Sequence, residues 1–159
     1  MKAAVRTWLG FWRLSRRYQG VALEAALALS ATWAGLRLVG FRRWKTLLVR
    51  LAPPNPDATQ PLDQARIEKA REIARVQEAV SRHLIFHVSC LEQSLVLWWL
   101  AARRGVPAEL RIGARKQAGR FEAHAWVELG NLVLNDSGEA HHHFAPFDGS
   151  IISMETQPH

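Results

Sequence analysis

Residues 87–105 read HVSCLEQSLVLWWLAARRG, and this stretch decides the architecture. From Cys90 onward, Leu91, Leu95, Val96, Trp98, Trp99 and Ala102 make it apolar on nearly every side, which is the pattern of a helix at the centre of a core. Gly105, with Pro107 after it, stands where such a helix is capped and ended. The one cysteine in the chain therefore falls at the amino end of the most buried helix. Unpaired N–H groups and the dipole at a helix amino terminus favour thiolate and can meet an oxyanion. On position alone, however, a free cysteine there is more simply a small apolar residue filling the core.

Outward from this helix the pattern changes period. Beyond Gly105, AELRIGARK alternates apolar and polar residues, the turn residues QAGR follow, and FEAHAWVEL and LVLND come next, separated by Gly130 and Asn131. These are three short antiparallel strands, and HFAPFDG further on suits an added edge strand or a lid. Before the central helix, DQARIEKAREIARVQEAVSRHL places Ile67, Ala70, Ile73, Ala74, Val76, Val80 and Leu84 at helical spacing, an amphipathic helix laid against something. Pro53, Pro54, Pro56 and Pro61 make residues 52–61 a linker in which no helix continues. Residues 1–51 read as helix, divided at Gly20 and Gly40. The chain is thus α+β: a helical segment over 1–51, a proline-rich linker over 52–61, and a domain over 62–159 in which a cysteine-bearing helix packs on a small antiparallel sheet.

The net charge of +7 is unevenly placed. Residues 1–50 hold ten basic side chains against Glu24 alone, and the rest of the chain is slightly acidic. No recognition helix, aromatic RNA-binding motif or zinc finger accompanies the basic segment, so specific nucleic-acid binding is not expected. The apolar run VALEAALALSATWAGLRLVG approaches membrane-spanning length, but Glu24 and Arg37 interrupt it, and a charge at bilayer depth costs about 2.5–3.5 kcal/mol. It reads as a helix buried against the rest of the protein, in a cytoplasmic chain with at most weak contact to a membrane surface. A lone cysteine leaves no intramolecular disulfide and no cysteine-based zinc site.

His124 in FEAHAWVEL and Asp136 at the end of LVLND change the weight of Cys90. Residues opposite one another on paired strands share a face, and a loop centred on Gly130 would put 124 opposite 136. A strict two-residue Gly130-Asn131 turn would pair 124 with 137 instead. The sequence therefore predicts a loop that is not the simple two-residue type. A thiol at a helix start, a strand imidazole and an acid across the hairpin form the set needed by a nucleophile, its base and the group that orients the base.

Cys, His and Asp in that order on helix, strand and strand resemble the papain-like and transglutaminase core. More narrowly, the combination SCLEQS, GVPAELRIG, EAHAWVE and ND, between about Arg82 and Asp136 with a weaker continuation through PFDG, resembles the stand-alone leader peptidases of lasso peptide biosynthesis, which are transglutaminase-like cysteine proteases. The resemblance implies a cysteine peptidase with Cys90 as nucleophile, His124 as base and Asp136 as orienter, requiring no cofactor and no metal. It implies three partners: the precursor's leader peptide, a separate winged-helix-like leader-binding protein, and an ATP-dependent lasso cyclase. This chain has no phosphate loop of its own. An acyltransferase using the same three residues, and a catalytically silent scaffold, are the competing readings.

Other features are less specific. His141, His142 and His143, with Asp136, Glu139 and Asp148 nearby, are read as solvated and not as a metal site. His87 reads as a surface residue, and Gln93 is expected to point away from the thiol. Trp8, Phe11, Trp12, Trp33 and Trp44 read as core packing in preference to a docking surface.

Overall fold

The computed structural model describes residues 16–53, 62–117, 119–136 and 143–146. Its helices are α1 (Arg16–Leu38), α2 (Phe41–Leu51), α3 (Gln64–Ser81) and α4 (Cys90–Ala102). Its strands are β1 (Glu109–Gln117), β2 (Arg120–Leu129), β3 (Leu132–Val133) and β4 (Ala145–Pro146), in one antiparallel sheet of order β3-β2-β1-β4. The architecture is α+β, and HFAP supplies the edge strand.

α4 sits where its composition demands. Leu95, Val96, Leu97, Leu100 and Ala101 are fully buried, between α1 and α3 on one side and the sheet residues Leu110, Val127 and Leu129 on the other. Gly105, at φ 71°, lets the chain reverse after α4, and Val106 N–H closes back on the Ala101 carbonyl at 3.0 Å. α3 starts on Asp63, whose carboxylate accepts the Arg66 N–H at 2.8 Å, and buries Ala70, Ile73, Ala74 and Gln77.

The helices before the linker share this core. α1 contributes Ala22, Ala25, Leu29 and Thr32, one face at helical spacing, and α2 contributes Leu48. Residues Gln19–Leu38 are long and apolar enough to cross a membrane by length and composition, yet this face is packed on protein. The two charges that interrupt the apolar run are both engaged. Glu24 pairs with Arg103 and Arg104 at the carboxyl end of α4, at 2.7 and 2.5 Å, and Arg37 pairs with Glu92 at its amino end, at 2.7 Å. α1 therefore lies antiparallel along α4.

Gly20, which the sequence predicts as a division of the segment, is not one: α1 runs through it, at the usual glycine cost of about 1 kcal/mol relative to alanine. Gly40 does, at φ 80°, where the chain turns into α2. Gly35 allows the two helices to close, since a Cβ there would fall 2.2 Å from the Trp44 ring, whose Nε1 donates to Thr32 Oγ1 at 3.2 Å.

The β2–β3 hairpin also departs from expectation. Glu128 pairs with Val133 and Leu129 with Leu132, so Gly130 and Asn131 make the strict two-residue turn that the sequence argued against. Gly130 adopts φ 58°, and a Cβ there would meet Leu62 Cδ1 at 2.8 Å. The register consequently points 124 at 137, and something beyond Val133 must redirect Asp136.

Gly35→Ala should destabilise the protein by about 1–3 kcal/mol or more, because the added methyl overlaps a ring that cannot move without opening the α1–α2 contact. Equilibrium urea unfolding will read this as a lower midpoint at unchanged slope.

Candidate active site

Cys90 opens α4 from a reciprocal cap. Ser89 Oγ accepts the Glu92 N–H at 3.4 Å, and Glu92 Oε2 accepts the Ser89 N–H at 2.6 Å. Glu92 is buried at 3% exposure, and its other oxygen takes the Arg37 guanidinium at 2.7 Å. Burial pushes the Glu92 carboxyl up, but the Ser89 N–H, Arg37 and the Ser89 hydroxyl outweigh it and hold the group below the usual carboxylate range. Cys90 itself is half-buried, and its thiol makes no hydrogen bond with the other described residues. Gln93 does face elsewhere, its amide donating to the Val88 carbonyl at 3.1 Å, and His87 is exposed.

One turn beyond Cys90, on the same helix face, Ser94 is fully buried. Its hydroxyl donates to the Ala125 carbonyl at 2.9 Å and accepts from Asn135 Nδ2 at 2.8 Å. Ala125 follows His124 in β2, so this bond fixes the amino end of α4 against the strand that carries the imidazole.

Asn135 also explains the redirection of Asp136. Leu134 N–H still donates to the Val127 carbonyl at 2.9 Å, as the ladder requires. The reciprocal donor, Val127 N–H, goes to the Asn135 side-chain oxygen at 2.8 Å. A side-chain amide thus takes the ladder position of a backbone carbonyl, the strand ends, and the next residue is free to turn. Asp136 Oδ2 comes to 3.6 Å from His124 Nε2, with the carboxylate side chain 6% exposed and the imidazole 22% exposed.

That separation is longer than a hydrogen bond, and Nε2 is shut off from solvent and has no hydrogen bond among the described residues. The ring is held between Trp126 and Phe144, centroids 6.0 and 5.3 Å away, with the Arg115 guanidinium over Phe144. Gly113, opposite His124 in the register, leaves room for this packing, since a Cβ there would meet Phe144 and Trp126 atoms at 2.9 Å.

The structure therefore brings His124 and Asp136 together across the hairpin and sets Cys90 at the helix start, without a bond between thiol and imidazole. Such a group can hold an imidazole in one tautomer, move a proton through its other nitrogen, and present a sulfur where a helix offers free N–H groups. Sequence reasoning missed Ser94, Asn135 and the attachment of Arg37. The first two are polar residues inside apolar patterns, which is the signal that could have found them. Trp33 packs on Phe86 at 5.1 Å and Trp44 on Gly35, whereas Trp8, Phe11 and Trp12 lie outside the described residues. His143 is exposed, and His141, His142, Glu139 and Asp148 lie outside the described residues.

A cysteine opening the central helix, with a histidine on a small antiparallel sheet and an aspartate just beyond the end of a strand, defines a transglutaminase-like arrangement, and the family model for the transglutaminase-like superfamily matches residues 25–147. The chain belongs to that superfamily. It is similar to the microcin J25-processing protein McjB of Escherichia coli, 36% identical over 66 residues, or 38% of this chain and 31% of that protein. The chain thus matches about a third of that relative's length. No solved structure matches it.

Asn135→Ala should cost about 1–3 kcal/mol, because it strands the buried Val127 N–H and one partner of Ser94; chemical denaturation measures it. Glu92 should also make stability pH-dependent. Its folded pKa lies below the unfolded value of about 4.3, so its contribution is full above that value and is lost as pH falls through the folded pKa. Glu92→Gln should therefore flatten the loss of melting temperature between about pH 5 and pH 3, as thermal scans in that range will show.

Proposed function

We propose that this protein is a cysteine peptidase that removes the leader from a ribosomally made lasso peptide precursor, with Cys90 as nucleophile, His124 as base and Asp136 as orienter. The observation that carries the reading is the His124–Asp136 pair at 3.6 Å, set on the strand that Ser94 ties to the first turn of the cysteine's helix. Similarity to a protein named for processing microcin J25 supports the substrate class.

In this mechanism the imidazole turns Nε2 to Asp136, which leaves Nδ1 to exchange the proton with sulfur. Peptide binding draws thiol and imidazole into hydrogen-bonding reach. The Cys90 thiolate attacks the carbonyl carbon at the end of the leader, and its own N–H, free of helical partners, steadies the oxyanion. His124 passes its proton to the departing amine, and a thioester remains on sulfur. Water then gives a proton to His124 as its oxygen attacks the thioester, the C–S bond breaks, and the sulfur recovers as thiolate beside the imidazolium.

α1 and α2 are committed to the core, which supports placing leader recognition on a separate winged-helix-like protein. The freed core peptide would pass to an ATP-dependent cyclase, in the cytoplasm where ATP and precursor are found.

The test is mass spectrometry of a lasso peptide precursor incubated with the chain, with and without a winged-helix-like leader-binding protein. Cleavage at one bond is expected, falling at least 10³-fold in Cys90→Ala and His124→Ala and less in Asp136→Asn, by analogy with the losses when a nucleophile or base is removed. Transfer of the acyl group to an added amine in preference to water would make the protein an acyltransferase. Cleavage that persists in Cys90→Ala would leave it a scaffold.

A further inference from the structure

We infer that Arg37, on the first helix and 55 residues before its partner, is a positioning residue for Cys90, acting through the Glu92 carboxylate. The inference rests on the reading of Cys90 as nucleophile and adds a part that neither the fold nor the relative assigns. Glu92 has two oxygens and two tasks. One oxygen holds the Ser89 N–H at 2.6 Å and so fixes the Val88–Ser89 peptide, one residue before Cys90; the other is held by Arg37 at 2.7 Å.

Without the guanidinium, a buried anion would stand in the same first helical turn as Cys90, at the end of the helix where catalysis calls for a thiolate. Like charges within one helical turn, one of them buried, oppose one another. With it, the carboxylate keeps its capping role while its charge is balanced. Arg37 is itself fixed: it donates to the Trp33 carbonyl at 2.9 Å and lies 4.2 Å over the Trp33 ring, which packs on Phe86 in the loop leading to Cys90. α1 thus holds that loop through Trp33 and the first turn of α4 through Arg37.

Other charged groups lie on the elements around the amino end of α4. His87 is exposed, Arg82 pairs with Glu78, His83 bonds the Ala79 carbonyl at 2.6 Å, Lys45 is buried on α2, and His124 and Asp136 belong to the sheet. Arg37 is the cation placed on the Glu92 carboxylate.

The experiment is pulsed alkylation of Cys90 with iodoacetamide in the full chain, read by mass spectrometry as the ratio of rates at pH 6.5 and pH 9. Arg37→Gln should lower this ratio about three- to ten-fold, the size expected for one uncompensated charge near a titrating group. Glu92→Gln keeps an oxygen for the Ser89 N–H but removes the charge, and should raise the ratio. The double variant should return to within about two-fold of wild type, and Arg37→Lys should stay there. Opposite signs and their cancellation are effects that a merely structural contact would not produce.

Equal ratios in wild type, Arg37→Gln and Glu92→Gln, together with a wild-type ratio that falls in His124→Ala, would overturn the role of Arg37 and leave the peptidase reading standing. A wild-type ratio equal to that of free cysteine and indifferent to His124→Ala would overturn both. If Arg37→Gln does not fold by circular dichroism, Glu92→Gln and Arg37→Lys decide: an unchanged ratio in Glu92→Gln overturns the inference.

Discussion

The structure hangs on the antiparallel seating of α1 along α4. Three ion pairs mark its ends, one at the Arg37 end and two on Glu24, and their spacing agrees: Glu24 to Arg37 spans about 20 Å of helix, and Glu92 to Arg103 about 17 Å, at 1.5 Å per residue. Pairs with a half-exposed arginine contribute little stability by themselves. Glu92 differs because it is buried, so the loss of its partner costs far more than its presence contributes. The pairs therefore act as registration marks. Shifting α1 by one turn would leave a carboxylate buried and alone beside the cysteine.

The sheet solves a separate problem of register. A two-residue turn is the tightest way to close β2 on β3, but it leaves the aspartate one position short of the imidazole. Asn135 resolves the mismatch by supplying, from its side chain, the acceptor that Val127 would otherwise find in the backbone. The same amide reaches Ser94 in α4, so one residue ends the strand, turns the acid and joins the sheet to the helix. Strand pairing and site geometry are settled by the same pair of hydrogen bonds.

Much of this was legible because it follows from periodicity. An all-round apolar pattern placed α4 in the centre, alternation placed β1 and β2, and the chemistry of Cys90, His124 and Asp136 singled out those positions. What escaped were features in which one side chain overrides a pattern. The hairpin loop was expected to be wider because only backbone register was counted, and an amide standing in for a carbonyl does not appear in an apolar–polar alternation. Gly20 reads as a break, yet an exposed glycine with nothing packed against it simply stays in the helix. Glu24 and Arg37 were legible as interruptions, while their partners, 80 and 55 residues away, were not.

Those long separations bear on how the chain is made. α1 leaves the ribosome well before α4 exists, with its apolar face uncovered and its carboxylate and guanidinium unmatched. Contacts between segments so far apart close late, after the intervening loops have been ordered. The core cannot assemble until Arg104 has been added, and the sheet that completes it follows later still. During that interval the nascent chain displays an apolar helix of nearly bilayer-spanning length, the species most in need of a chaperone or of a fast route to its partner helix.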